Sequence, residues 1–132
     1  MDKEILKIAL NTENFSFLSD YTKYAKLKNK FCGDEIKVYI KTKNKKIIDF
    51  KYEGESCVYC QASASLLSRN IKNKSINNIV KLFKISNDLF ENKKNNTFLD
   101  WKIFLKIMKK SNIDRKDCLL LPIRATIKAL KN

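Results

Sequence analysis

Four cysteines carry the reactive chemistry of this 132-residue chain: Cys32, Cys57, Cys60 and Cys118. No histidine accompanies them, which excludes histidine ligands, histidine general bases and Cys-His catalytic pairs from within the chain. Thiolates bind soft or borderline metals, and three of them with one carboxylate can complete a tetrahedral zinc site. The same donors can hold a [2Fe-2S] cluster. One carboxylate stands two residues after Cys32: Asp34, in "CGDEI" (32–36). Gly33 separates it from Cys32, and glycine lets the backbone bend so that both side chains turn toward one ion. Asp34 is a harder donor than sulfur, so a cluster held partly by it would be released more easily than one held by cysteine alone.

The elements that must position these groups are read from periodicity. Residues 3–10 suit a short amphipathic helix with Ile5, Leu6, Ile8 and Ala9 as its apolar side. Residues 13–31 read as loop with a helical turn. Ile36, Val38 and Ile40 alternate with polar neighbours through a strand over 35–42. "TKNKK" then turns the chain into a second strand marked by Ile48, Phe50 and Tyr52, so the two form a hairpin. A short third strand is expected to run to Cys57 or Val58. From Cys60, "CQASASLLSRNI" suits a helix packed closely on a sheet, and Ile76, Ile79, Val80 and Phe83 keep helical spacing. A polar loop at 91–96 precedes "TFLDWKIFLKIMKK", a further helical stretch with Thr97 as N-cap, read as core, with contact to a partner as the alternative for Trp101 or Phe104. The last helix is placed near Cys118, so that Pro122 falls in its first turn. The order predicts one α+β domain over 1–132, a small antiparallel three-stranded sheet packed by several α-helices.

The charge balance is strongly basic, 28 Lys and Arg against 14 Asp and Glu, a net +14. A small basic zinc-stabilised nucleic-acid-binding module is the alternative this raises. The lysines are spread along the whole chain in tracts such as "KTKNKKIIDFK", without clustering on one helix. The expectation is therefore no specific nucleic-acid partner. No apolar run reaches transmembrane length and the N-terminus lacks the apolar stretch of a signal peptide, so the expected setting is cytoplasmic, with no membrane partner. In a reducing compartment, metal or thiol chemistry is favoured over a disulfide framework. Cys57 and Cys60 form a C-x-x-C, yet there is no second one to complete a zinc knuckle and no βαβ pattern around it for a redox fold.

Three segments taken in order, "CGDEI" (32–36), "GESCVYCQASASLL" (54–67) and "RKDCLLLP" (115–122), resemble the U-type iron–sulfur assembly proteins, the family of IscU, SufU and the NifU N-terminal domain. The resemblance covers residues 3–131 and is nearest to the SufU branch. Asp117 stands where the IscU branch has a histidine, the IscU chaperone motif is absent, and extra length falls around "LFENKKNNTFLDW". Ser56 departs from the family's second glycine, and Cys60 occupies a position that is often serine.

The resemblance implies the α+β fold just described and one metal position held by Cys32, Asp34, Cys57 and Cys118. It implies an assembly protein that takes sulfur from a cysteine desulfurase and serves downstream iron–sulfur acceptor proteins, a carrier more than an enzyme. The bound group would be zinc, a transient [2Fe-2S] cluster or iron. Cys32 is the expected persulfide acceptor, with Cys118 the alternative used in the IscU branch. Cys60 is read either as core packing or as a thiol behind the ligands, and Arg115 as a cation able to stabilise a thiolate or persulfide.

Overall fold

The computed structural model describes residues 2–30, 32–93 and 98–132. Its frame is a meander of three antiparallel strands, β1 (Lys23–Lys28), β2 (Glu35–Lys43) and β3 (Lys46–Glu53), in the order β1-β2-β3. Around it lie α1 (Lys3–Ala9), α2 (Val58–Asn70), α3 (Ile76–Phe90) and α4 (Lys116–Lys131), with two 3-10 segments, Leu99–Lys106 and Lys110–Arg115, between α3 and α4. The α+β class and the three-stranded sheet expected from the sequence are present. Among the described residues no helix is long and apolar enough to cross a membrane.

The third strand is not where it was expected. Residues 54–57 form no strand, and the sheet is completed by β1, inside the stretch read as loop. The strand "KYAKLK" sends only Ala25 and Leu27 inward, one of them a single methyl, so its alternation is faint in the sequence. Pairing with β2 and cover from α4 stabilise it instead. This changes the setting of the CGD segment. It lies in the six-residue hairpin loop between Lys28 and Glu35, which pair across the sheet. The loop is closed by Asn29 N–H donating to Asp34 O at 2.7 Å and Gly33 N–H donating to Asn29 O at 2.9 Å.

The β2–β3 turn has Asn44 and Lys45 both at positive φ, the backbone that matches the twist of a two-residue hairpin. Just before it the register slips: Lys41 faces Asp49 but Thr42 faces Ile47, leaving Ile48 bulged and part-exposed. Ile47, Phe50 and Tyr52 are the inward residues of β3, so the expected inward role of Ile48 is corrected by one position. In α1, likewise, Ile5 and Ile8 are buried while Leu6 faces solvent.

The helix α2 is buried on nearly all sides, with Ala62 to Ser68 inaccessible. Small side chains let it pass between α1, α4 and β3. Its buried hydroxyls are satisfied: Ser63 donates to Leu119 O at 2.6 Å and Ser65 to Asn11 O at 2.8 Å. The stretch expected as an ordinary helix from Thr97 is a 3-10 segment kinked at Trp101, and Thr97 itself lies outside the described residues. Trp101 and Phe104 are core, the indole N–H bonding Asn78 O of α3 at 3.2 Å. The helix α4 starts at Lys116, earlier than expected, and Pro122 sits at its seventh position. There it cannot donate to the Cys118 carbonyl four residues earlier, so the expected first-turn placement is corrected.

Gly33 and Gly54 separate two kinds of glycine requirement. At Gly54 φ is +139°, and a Cβ would stand 2.1 Å from Glu35 O and 2.9 Å from Ile36 Cα. At Gly33 φ is +75°, but a Cβ would meet nothing within 4 Å. Gly54→Ala is expected to destabilise by roughly 3 kcal/mol or more, and Gly33→Ala by about 1 kcal/mol. Denaturant melts of the two variants check this; equal losses would contradict it.

Candidate metal centre

Three chain segments meet at one end of the sheet. The β1–β2 loop brings Cys32 and Asp34, the stretch after β3 brings Cys57 as N-cap of α2, and Cys118 comes from the first turn of α4. The first two are zipped together by backbone: Glu35 N–H donates to Glu55 O at 2.8 Å, and the bare Cα of Gly54 lies against the start of β2. The Cys57 N–H then donates to Asp34 Oδ1 at 2.8 Å. An amide at a helix N-terminus is an orphan donor, and here the Asp34 carboxylate satisfies it.

Cys32, Asp34 and Cys118 each present one ligand atom, all within 4.8 Å of one another, a spacing that one ion can bridge. The Cys32 and Cys118 sulfurs are 3.6 Å apart. Cys57 is not within that group; it borders it, close enough to Asp34 and Cys118 to affect the titration of both. Exposure grades the thiols: Cys32 is exposed, Cys57 half-buried and Cys118 buried. Asp34 is 5% exposed, and its Oδ2 is buried with no hydrogen-bond partner among the described residues. A buried carboxylate oxygen without a donor is costly, and a cation in the site would remove that cost.

The electrostatics follow from this crowding. Burial works to raise the Asp34 pKa, but the Cys32 thiol, the Cys57 N–H and the other two thiols outweigh it and hold the carboxyl below its ordinary value. Burial pushes the Cys118 thiol up, and Cys57, Asp34 and Cys32 push it further. A positive charge in the site would act in the opposite sense and favour the thiolate.

Cys60 stands one helical turn after Cys57 and is fully buried. Burial raises its pKa, and a hydrogen bond from Ser56 offsets this only in part. It packs in the core behind the thiols. Ser56, the departure from the second family glycine, is not among the residues at positive φ, so a Cβ is no burden there. Its Oγ accepts from Gln61 Nε2 at 2.7 Å. Arg115 is exposed, with its guanidinium over the Tyr59 ring at 5.4 Å. Sequence reading missed the contribution of Gly54, although its being one of only two glycines in the chain was a usable signal.

Curated proteins with similar sequence bear on this site. A segment of 74 residues, 56% of the chain, is 34% identical to the zinc-dependent sulfurtransferase SufU of Bacillus subtilis, covering 50% of that protein. A segment of 67 residues, 51% of the chain, is 40% identical to the iron–sulfur cluster assembly scaffold protein IscU of Thermotoga maritima, covering 47% of it. The match thus spans about half the length of these two relatives. Among solved structures, a NifU-like N-terminal protein from Brucella abortus superposes with a TM-score of 0.83 at 26% identity, over 98% of this chain and 91% of that one. Residues 1–110 match the NifU-like N terminal domain, a span that holds Cys32, Asp34, Cys57 and Cys60, while Cys118 joins them from beyond it through the fold of α4. With that match over most of its length, the chain belongs to the NifU-like N-terminal domain family.

Proposed function

We propose that the protein serves iron–sulfur cluster assembly as a sulfur acceptor, with Cys32, Asp34, Cys57 and Cys118 around one zinc position. The observation that carries this is the pair of sulfurs 3.6 Å apart beside a buried, partnerless carboxylate oxygen. Two sulfurs bound to one tetrahedral zinc at ~2.3 Å lie about 3.8 Å apart, so little adjustment is needed. The name zinc-dependent sulfurtransferase borne by the Bacillus subtilis relative supports the same reading. Bound zinc would supply the positive charge that keeps these thiols as thiolates. Asp34 would do two jobs, one oxygen toward the metal and the other on the Cys57 N–H, which fixes the carboxylate plane.

The sulfur acceptor is Cys32. It is the exposed thiol and sits in a hairpin loop, where local opening costs less than at a helix start. Its thiolate attacks the terminal sulfur of a donor persulfide, forming a new persulfide on Cys32 and releasing the donor's thiolate, so no outside oxidant is needed. The donor is a cysteine desulfurase, and the sulfur passes on to iron–sulfur acceptor proteins. Mass spectrometry after incubation with a cysteine desulfurase and cysteine should find one added sulfur on Cys32, absent from Cys32→Ser. Added sulfur on Cys118 alone would reject the assignment.

Two further outcomes test the ligand set. Protein purified in air should hold one zinc per chain, and Cys60→Ser should keep it, because Cys60 is core behind the site; a folded Cys60→Ser protein without zinc would show the set to be wrong. In chelator-treated protein, Asp34→Ala should lower stability by about 1–3 kcal/mol, since the Cys57 amide loses its acceptor. Asp34→Asn keeps an oxygen there and should fall nearer the parent in the same denaturant melts.

A further inference from the structure

The helix α4 carries Cys118 at one end and runs away from the metal centre toward the C-terminus. Asp117, Leu121, Arg124, Ile127 and Lys131 recur on it at three- and four-residue intervals, which puts them on one face. That face borders two shallow hollows. One, of about 230 Å³, has Leu27 and Leu121 as its apolar floor and is reached by Lys28 and Lys30 from the start of the β1–β2 loop. The other, of about 360 Å³, lies between α3 and α4 on Val80, Phe83 and Ile127. Arg124 lines both, its guanidinium stacked over the Phe83 ring at 5.3 Å. The two hollows share Arg124 and follow one another along α4; read together as one groove, they cover the fifteen residues from Asp117 to Lys131, a rise of about 21 Å.

Charge on this groove is one-sided. Lys28, Lys30, Arg124 and Lys131 line it against the single carboxylate of Asp117. Among the described residues none of the four cations forms a salt bridge, whereas Lys26, Lys41, Lys93 and Lys109 elsewhere each do. Val80 at 40% exposure leaves an aliphatic side chain open to water in the same place. An apolar floor with unpaired cations on its rim is complementary to a segment that is apolar on one side and acidic on the others. Four turns of helix match the length of the groove, and apolar residues at i, i+3 or i+4, and i+7 match a floor whose contacts recur at each turn of α4.

We propose that this groove docks an acidic amphipathic helix of a partner protein, laid along α4 with one end beside the loop that carries Cys32. Polyanions such as nucleic acid fit less well, since the Phe83 ring in the floor is already stacked by Arg124 and offers bases no bare face. The proposal concerns a surface apart from the thiols and holds whichever metal they bind.

The probe is a fourteen-residue peptide with leucines at i, i+3, i+4, i+7 spacing and glutamates elsewhere, titrated into isotopically labelled, zinc-loaded protein. Amide shifts are expected at residues 27–30, 80–84 and 121–131. Arg124→Glu should weaken binding about tenfold, equivalent to ~1.4 kcal/mol, without loss of zinc or melting temperature. Lys131→Glu, at the far end and exposed, gives a second reading should Arg124→Glu disturb the helix. The same peptide with its leucines scrambled over all faces should bind at least about tenfold more weakly, as the loss of a matched apolar stripe requires. Shifts scattered over the lysines of the whole surface would overturn the proposal. So would equal binding by the scrambled peptide or by a fourteen-residue oligothymidylate, which would leave only unspecific attraction to a basic chain.

Discussion

The bond from the Cys57 amide to the Asp34 carboxylate is the constraint on which the centre depends. It joins a hairpin loop to a helix start, two places where backbone groups would otherwise lack partners. Left unpaired, that amide would cost about 1–3 kcal/mol, a sizeable part of the stability of a domain this small. Paired, it turns the carboxylate so that one oxygen is spent on structure and the other is left facing the sulfurs. A carboxylate buried in this way is tolerated only if something nearby favours its charge, and here the amide and three thiols do so. The fold therefore prepares a negatively polarised pocket before any ion enters it.

Backbone economy around this bond is visible in where glycine is used. The chain has two glycines, and both border the centre. Other positive-φ positions in the described residues are filled by Asn44, Lys45, Asn73 and Asn92, which accept the left-handed region at modest cost. Gly54 is different in kind, because the carbonyl of Glu35 occupies the space a side chain would need. That close approach aligns Glu55 with Glu35 and sets Cys57 opposite Asp34. Ser56, only two residues on, carries a side chain freely because its own backbone is unstrained and its hydroxyl has a partner in Gln61.

Much of this was legible in the sequence, and the failures have physical causes. β2 and α2 were readable because their apolar residues are dense and periodic. β1 was not, since it offers the core only Ala25 and Leu27 and owes its existence to pairing with β2. With β1 unseen, the CGD segment was not recognised as part of a hairpin loop, although the strand that follows it was read correctly. Ile48 was misplaced because a one-residue bulge reverses the inside and outside of a strand, and nothing local announces it. The 3-10 geometry around Trp101 follows from an indole anchored to a carbonyl on α3, a tertiary contact that local periodicity does not carry. For the site, the resemblance to the U-type assembly proteins implied four side chains. The structure gathers three of them tightly and sets Cys57 at the border, because its backbone is already committed as the cap of α2.

If sulfur transfer runs as proposed, the unequal burial of the thiols sets where it starts. A sulfur arriving from another protein must be met by an atom that solvent, and hence a partner, can reach; of the three thiols around Asp34 only Cys32 is exposed. Cys118 is held by a helix packed against the sheet and α2, so exposing it would disrupt the core that Leu119, Leu120 and Leu121 build. Among the described residues, the loop of Cys32 is closed by two backbone bonds and turns on Gly33, where a Cβ would meet nothing within 4 Å. On the proposed reading, the buried pair, Cys118 and Asp34, would keep an ion in place while the exposed thiol reacts, and the 3.6 Å between the Cys32 and Cys118 sulfurs would keep the path back to the centre short.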